Sequence, residues 1–180
     1  SNSNVILKDK SSFVLKSGSK YVINNGATLR VKSGCTLIIE DEAELIINGS
    51  GKIEIEPGAY ICIKQGAVIT LSTYASVINL RNGYINRVNP DIFPQQTCVS
   101  DPQNYNIIGD GAINTFTQTI YIQNETISTN RYYAGNNIYV GYDVTQSKPY
   151  GNVLINNNSK VIFDAENVVL FKNGFDVATG

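Results

Sequence analysis

Carboxylates are the side chains with which this chain would have to perform acid–base or metal chemistry, because it contains no His. Histidine is the commonest general base and metal ligand. Glycoside hydrolysis needs two carboxylates facing each other across the substrate. The acids form no Asp-x-Asp or Asp-Asp pair in either segment that carries them: Asp41, Glu42, Glu44, Glu54 and Glu56 in the first, and Asp143, Asp164, Glu166 and Asp176 in the second. The sequence therefore predicts a protein that is not an enzyme, with no catalytic residues, no metal and no cofactor.

Calcium binding is the remaining chemistry that the acids suggest, since Ca²⁺ prefers oxygen ligands. Asp110 and the run Asp164-Ala165-Glu166 offer such oxygens. Scattered acids at turns are more often simple turn formers. We expect these residues to be turn formers.

Tyrosines are the second group with chemical potential, since their rings stack on sugar rings and their hydroxyls form hydrogen bonds at a wet surface. A Tyr-rich insertion within 130–150 contains five of them, which are the candidate ligand-binding residues: Tyr132, Tyr133, Tyr139, Tyr142 and Tyr150. They predict either a sugar-binding platform or a cover for apolar surface, and the second interpretation is favoured.

Three cysteines, Cys35, Cys62 and Cys98, have no zinc-binding spacing. Cys35 and Cys62 are offset along their predicted strands and Cys98 lies in a predicted loop. We expect small buried or half-buried thiols, with no bond between Cys35 and Cys62.

Charge is sparse, at 16% of residues with a formal net charge of −1. This balance gives no electrostatic reason to bind nucleic acid or an anionic membrane. The sequence also contains no apolar run long enough to insert into a membrane.

An eight-residue repeat must position all of these side chains. Its first place holds small residues, and its third and fifth places are apolar, so each row of eight reads as a short strand with one buried face. The third place holds Val5, Phe13, Tyr21, Leu29, Leu37, Leu45, Ile53, Ile61, Ile69 and Val77, and the fifth holds Leu7, Leu15, Ile23, Val31, Ile39, Ile47, Ile55, Ile63 and Leu71. Because every row keeps the same places inward, the rows must wind in one direction, which predicts an all-β parallel β-helix, or β-solenoid.

The outward fourth place favours three rows per coil, a triangular prism, over two rows per coil, a flattened roll. Grouping every third row separates Val14, Ile38 and Cys62 from Val22, Ile46 and Thr70, and leaves Ile6, Arg30, Glu54 and Ile78 together. This grouping places Arg30 beside Glu54 and leaves two outer faces apolar. We expect something to cover those faces.

The repeat divides the chain into three parts. Residues 1–88 form a first solenoid block, and 89–118, with three of the five prolines, form a loop or crossover. Residues 119–180 form a second block, continuous with or packed on the first, in which the eight-residue spacing returns at Val153, Val161, Val169 and Val177.

The last third of the chain resembles the coat-hanger stack repeats of proteins exported by Gram-negative bacteria that use type IX secretion. The matching residues are Ile138, Val140-Gly141, Asp143-Val144-Thr145, Pro149-x-Gly151-x-Val153, Phe163-Asp164-Ala165, Leu170 and Asn173-Gly174-Phe175. The resemblance implies a triangular β-stack without activity, placed late in a large exported protein ahead of a sorting domain. This chain ends before any such sorting tail, and the first block matches only the general solenoid pattern.

These observations lead to one expected function and two alternatives. The first is a non-catalytic structural module of a secreted or cell-surface protein, on the outer surface of a Gram-negative bacterium, acting as a rigid spacer or presentation surface. Its expected partners are neighbouring domains of the same polypeptide and, through uncapped coils, other copies end to end. The alternatives are a carbohydrate-binding module with a polysaccharide as its partner, and a polysaccharide lyase or hydrolase.

Overall fold

A computed structural model describes residues 3–85, 87–90, 98 and 106–178. Within these ranges the protein is all-β: the secondary structure consists of strands, and no helix occurs. The described ranges accordingly hold no helix with the length and apolar character needed to cross a bilayer. The chain divides into two compact units, residues 1–114 and 115–180.

The first unit is built from short strands separated by tight turns. Its strands are β1 (Asn4–Leu7), β2 (Ser12–Leu15), β3 (Lys20–Ile23), β4 (Thr28–Val31), β5 (Thr36–Ile39), β6 (Glu44–Ile47), β7 (Lys52–Ile55), β8 (Tyr60–Ile63), β9 (Val68–Leu71), β10 (Val77–Leu80), β11 (Tyr84–Ile85), β12 (Asn106–Gly109) and β13 (Ala112–Thr115).

These strands form three stacked parallel sheets. The orders are β1-β4-β7-β10-β13, β11-β8-β5-β2 and β12-β9-β6-β3. Thr28 pairs with Asn4 on one side and with Lys52 on the other, an offset of 24 residues in each direction. The architecture is therefore that of a parallel β-solenoid, as the repeat predicted.

The core of this unit lies between the three sheets. The third- and fifth-place residues from Leu29 to Leu71 are fully buried and form one cluster. Each contributes about 1.5–3 kcal/mol through the hydrophobic effect. In the first coil, Val5 is exposed and Phe13 is half-buried, because strands β1 and β2 each have a neighbour on one side only.

A one-residue insertion shifts the register after β9. Ile78 pairs with Ile53 and Asn79 with Glu54, an offset of 25 residues instead of 24. Ile78 therefore faces inward and Asn79 outward, so the predicted third-place Val77 and outward Ile78 were wrong by one position. The extra residue lies in the turn before β10, where the Thr73 and Ser76 hydroxyls donate hydrogen bonds to the carbonyl oxygen of Gly49 at 2.6 and 2.8 Å.

One of the two predicted apolar outer faces is covered. Ile38 and Cys62 point outward from β5 and β8, yet both are buried. The Asn89 side chain donates a hydrogen bond to the Gly34 carbonyl at 2.9 Å, and Cys62 forms a disulfide with Cys98. The expectation of unbonded thiols was thus wrong for this pair, because the Cα atoms of Cys62 and Cys98 lie 5.3 Å apart, within the range that a disulfide spans. Cys35 is a buried free thiol.

The segment 89–118, predicted to be a loop or crossover, contains β12 and β13. Ile107 pairs with Ile69, so β12 extends the sheet that contains β9. The boundary between the two units lies between residues 114 and 115, inside the predicted crossover. Residues 91–97 and 99–105 of that segment lie outside the described residues.

The second unit contains strands of very different lengths. They are β14 (Thr119–Ile122), β15 (Glu125–Ile127), β16 (Arg131–Val140), β17 (Val153–Ile155), β18 (Val161–Phe171) and β19 (Phe175–Val177). They form two parallel three-stranded sheets, β14-β16-β18 and β15-β17-β19, around a core that includes Ile122, Ile138 and Val153.

Long strands replace the eight-residue rows predicted here. Residues 161–171 form one strand of 11 residues, where the repeat predicted a turn between two strands. The register between β16 and β18 shifts between Gly135 and Asn137, because β18 holds one extra residue between Ala165 and Val168, so a bulge takes the place of the predicted turn. The residues at the predicted turn, 164–168, contain neither Gly nor Pro to interrupt the strand.

Candidate functional site

The structure separates the five candidate tyrosines into three groups. Tyr132 and Tyr133 lie near the start of β16, and Tyr139 lies near its end. Tyr142 and Tyr150 lie in the loop between β16 and β17. Only the last two contact each other among these five through a described ring contact.

Tyr132 and Tyr133 are tied to neighbouring strands. The Tyr132 hydroxyl donates a hydrogen bond to Asp164 Oδ2 at 2.5 Å. The Tyr133 ring packs against the core and stacks on Phe163, with ring centroids 5.7 Å apart. These two tyrosines thus stabilise the pairing of β16 with β18.

Burial raises the pKa of Tyr133 to about 12, and the neighbouring Glu125 carboxylate adds to the rise. The folded protein therefore keeps this phenol protonated at a pH where the unfolded chain, with a pKa near 10, has already lost the proton. Because the unfolded state then binds fewer protons, stability is retained below about pH 10 and falls as the pH approaches 12.

A Tyr133→Phe variant should consequently lose less stability between pH 10 and pH 12 than the parent protein. Urea unfolding midpoints measured across this range report the difference. The difference between the two proteins below pH 9, where the Tyr133 phenol is protonated in both the folded and the unfolded chain, gives the baseline. Identical alkaline profiles for the parent and Tyr133→Phe would contradict the assignment.

Tyr139 belongs to a row of side chains across the outer face of the β14-β16-β18 sheet. It pairs with Tyr121 on one side and with Leu170 on the other. The rings of Tyr121 and Tyr139 stack with centroids 5.6 Å apart, and Tyr121 and Leu170 are exposed. Tyr121 was not among the candidates, although the alternation of residues 119–123 already indicates that it faces outward.

Tyr142 and Tyr150 form an exposed pair beside an open groove. Their ring centroids are 6.0 Å apart, the ring planes are inclined by 27°, and the two residues are 47% and 55% exposed. The groove has a volume of about 430 Å³ and is lined by Tyr142, Asp143, Lys172 and Asn173. Two aromatic rings thus stand next to a carboxylate, an ammonium group and an amide.

The main chain of Tyr142 is fixed on both sides. Its N–H donates a hydrogen bond to the carbonyl of Asn173 at 2.8 Å, and its carbonyl accepts one from the N–H of Gly151 at 3.2 Å. Gly174 makes this approach feasible: its φ is +82°, and a Cβ there would lie 2.7 Å from the Cβ of Tyr142. Any other residue at position 174 would displace Tyr142 or adopt a strained backbone.

Gln123 organises the loop that carries both tyrosines. Its side chain is 2% exposed, and its Oε1 accepts hydrogen bonds from the N–H groups of Val144 and Thr145 at 2.6 and 3.0 Å. Its Nε2 lies 2.9 Å from the carbonyl oxygen of Lys148 and 3.0 Å from that of Pro149. One buried side-chain amide therefore makes the hydrogen bonds with the main chain of this loop that a neighbouring strand would otherwise make. No motif marks Gln123 in the sequence, so the sequence analysis missed it.

The acidic residues in the described ranges form no group of three or more with His or Cys that could hold a metal ion. Asp164, one of the candidate calcium ligands, accepts the hydrogen bond from Tyr132. Asp110 follows β12 in an exposed bend.

Glu54 is the most buried carboxylate among the acids named from the sequence, at 3% exposure. Its oxygens lie 2.7 Å from Arg81 Nε and 3.2 Å from Lys52 Nζ, and Asn79 donates a hydrogen bond at 3.1 Å. The backbones of Arg30 and Glu54 are paired as predicted, but the Arg30 guanidinium lies 3.5 Å from Glu56 instead. This network neutralises a buried charge and leaves the carboxylate engaged by three neighbours.

A second stacked tyrosine pair lies in the first unit, with Tyr60 half-buried and Tyr84 exposed. Tyr60 and Tyr84 stack with centroids 5.0 Å apart, and the Arg87 guanidinium carbon lies 5.5 Å from the centre of the Tyr84 ring. This pair does not line the groove beside Tyr142, so it serves below as a control surface.

Comparison of the chain with protein-family models, with curated proteins and with solved structures gave no significant match.

Proposed function

We propose that the chain is a non-catalytic structural module of a secreted or cell-surface protein of a Gram-negative bacterium, acting as a rigid spacer or presentation surface. We further propose that its first unit is a triangular prism of eight-residue rows with three rows per coil. Its partners would be neighbouring domains of the same polypeptide and, at the open edge of β1, β2 and β3, further copies.

Turn hydrogen bonds support the eight-residue row. The N–H of Ala27 donates to the carbonyl of Asn24, that of Cys35 to Lys32, and that of Ala43 to Glu40. The same three-residue closure thus recurs after eight residues each time. The 24-residue offset between paired strands equals three such rows and supports the three-faced coil.

The observation that carries the mechanical role is the continuous stacking of β4 to β9. Each of β4, β5 and β6 has a parallel neighbour on both sides, and the side chains between the sheets are dry. Bending such a stack would break main-chain hydrogen bonds and open a close-packed core at the same time. A module of this kind keeps its length under load.

Amide hydrogen exchange tests the rigidity. We expect the amides of β4 to β9 to exchange only through global unfolding, with a single free energy shared by all six strands. Faster, strand-specific exchange within β5 or β6 would overturn the spacer role. The turn residue Asn25, which is exposed and whose N–H donates no described hydrogen bond, serves as a fast-exchanging reference.

Two further measurements separate this proposal from its alternatives. Protease treatment of intact cells that produce the protein should release fragments of the chain, and complete protection would contradict a surface location. Incubation with polygalacturonate should yield neither unsaturated products nor new reducing ends. Either product would establish a lyase or hydrolase.

A further inference from the structure

The groove beside Tyr142 and Tyr150 has the composition of a ligand site. Binding sites combine aromatic side chains with a few convergent polar groups. Here the polar groups are the exposed side chains of Asp143, Lys172 and Asn173. The two tyrosine hydroxyls add further donors and acceptors.

The charges of the lining select against a strongly charged ligand. Asp143 and Lys172 carry opposite charges, so the groove has no net charge. The ammonium of Lys148, in the same loop, donates a hydrogen bond to the carbonyl of Tyr121 at 3.0 Å. A polyanion therefore finds no excess of cationic groups at this groove.

The ligand must combine flat apolar faces with many hydroxyl groups. The rings provide apolar area, while the carboxylate accepts, the ammonium donates and the amide does both. A pyranose ring matches this set, because its C–H groups form an apolar face and its hydroxyls both donate and accept. A peptide ligand would need an apolar pocket or a strand edge, and the groove lining contains neither.

The site is also held in place before any ligand arrives. Gln123 fixes the loop through Val144, Thr145, Lys148 and Pro149, and the hydrogen bonds of Tyr142 to Asn173 and Gly151 fix the ring that lines the groove. Binding to a fixed surface avoids the entropy of ordering a loop, so modest contacts suffice for measurable affinity.

We propose that Tyr142 and Tyr150, presented by the loop that Gln123 holds, form a binding site for a neutral oligosaccharide together with Asp143, Lys172 and Asn173. This site uses two of the five candidate tyrosines that the sequence indicated. It is independent of the spacer role, because a rigid module can act with or without a ligand.

The experiment titrates the full chain with hexasaccharides of β-linked glucose, xylose, mannose and N-acetylglucosamine, using calorimetry, with hexagalacturonate as the acidic comparator. We expect at least one neutral hexasaccharide to bind. Tyr142→Ala and Tyr150→Ala should each weaken that binding by about tenfold or more, as expected for aromatic anchors. Tyr142→Phe keeps the ring and should stay within about threefold of the parent.

Tyr84→Ala is the matched control, because Tyr84 is also an exposed tyrosine stacked on a second ring. Its binding should equal that of the parent, and thermal melting should verify that all variants fold. The proposal is overturned if no neutral hexasaccharide binds, if hexagalacturonate binds more tightly, or if binding survives in both alanine variants.

Discussion

Ile47→Asp should prevent the chain from folding cooperatively. Ile47 is fully buried between the sheets, in a cluster that consists of apolar side chains. An aspartate there would be a charge without a partner in a dry interior, and such changes cost more than about 4 kcal/mol. Since a domain of this size is stable by only about 5–15 kcal/mol, circular dichroism during urea titration should give a midpoint close to zero urea or no transition.

Val22→Asp provides the matched control for this change. Val22 also lies on a strand of the same unit, but it points outward and is 39% exposed. Its replacement should alter the free energy of unfolding by about 0.5 kcal/mol or less. Equal losses in both variants would refute the assignment of inward and outward places. Lys52 also occupies an outward place, but it is a poorer control, because its ammonium lies 3.2 Å from the buried Glu54 carboxylate.

Removal of the Cys62–Cys98 disulfide should have the second-largest effect. The bond joins residues 36 apart in the sequence, and a closure of that length lowers the entropy of the unfolded chain. We expect the Cys62→Ala/Cys98→Ala double variant to lose about 2–5 kcal/mol of stability, measured from urea unfolding midpoints. Each single variant should lose a similar amount, since each breaks the same bond.

A reductant provides the control for the disulfide. Reduction of the parent should lower its stability to that of the double variant, and the double variant should not respond. Cys35→Ala, at a buried thiol that forms no disulfide, should leave the response to reductant intact. A parent protein whose stability is the same with and without reductant would show that the bond does not stabilise the fold.

The solenoid class was predictable because its cause is local and repeated. Apolar residues such as Leu37 and Ile39 alternate with outward residues in row after row, and only a one-way winding buries them all. The register after β9 was harder to predict, since a single added residue in the turn before β10 moves Ile78 inward. The sequence nevertheless indicates this shift, because the unshifted repeat puts the polar residue Asn79 at the fifth place, which is otherwise apolar.

Features set by long-range contacts were not readable from the repeat. The pairing of Cys62 with Cys98 joins residues 36 apart, and the sequence around Cys98 has no periodicity from which its position could be predicted. The long strand β18 accommodates a bulge between Ala165 and Val168, whereas the repeat alone predicted a turn there. The groove depends on one buried amide, Gln123, whose partners are main-chain groups that leave no mark in the side-chain pattern.

The added residue between β9 and β10 has a consequence for how such a protein can change over evolutionary time. Ile78 and Leu80 still stack on Ile53 and Ile55 although the connection before them is longer. This turn therefore accepts an added residue while the strand after it keeps its partners, so a lineage can acquire a new surface loop here without remodelling the interior. Engineers can use the same tolerance and graft foreign epitopes at the Thr73–Ser76 corner.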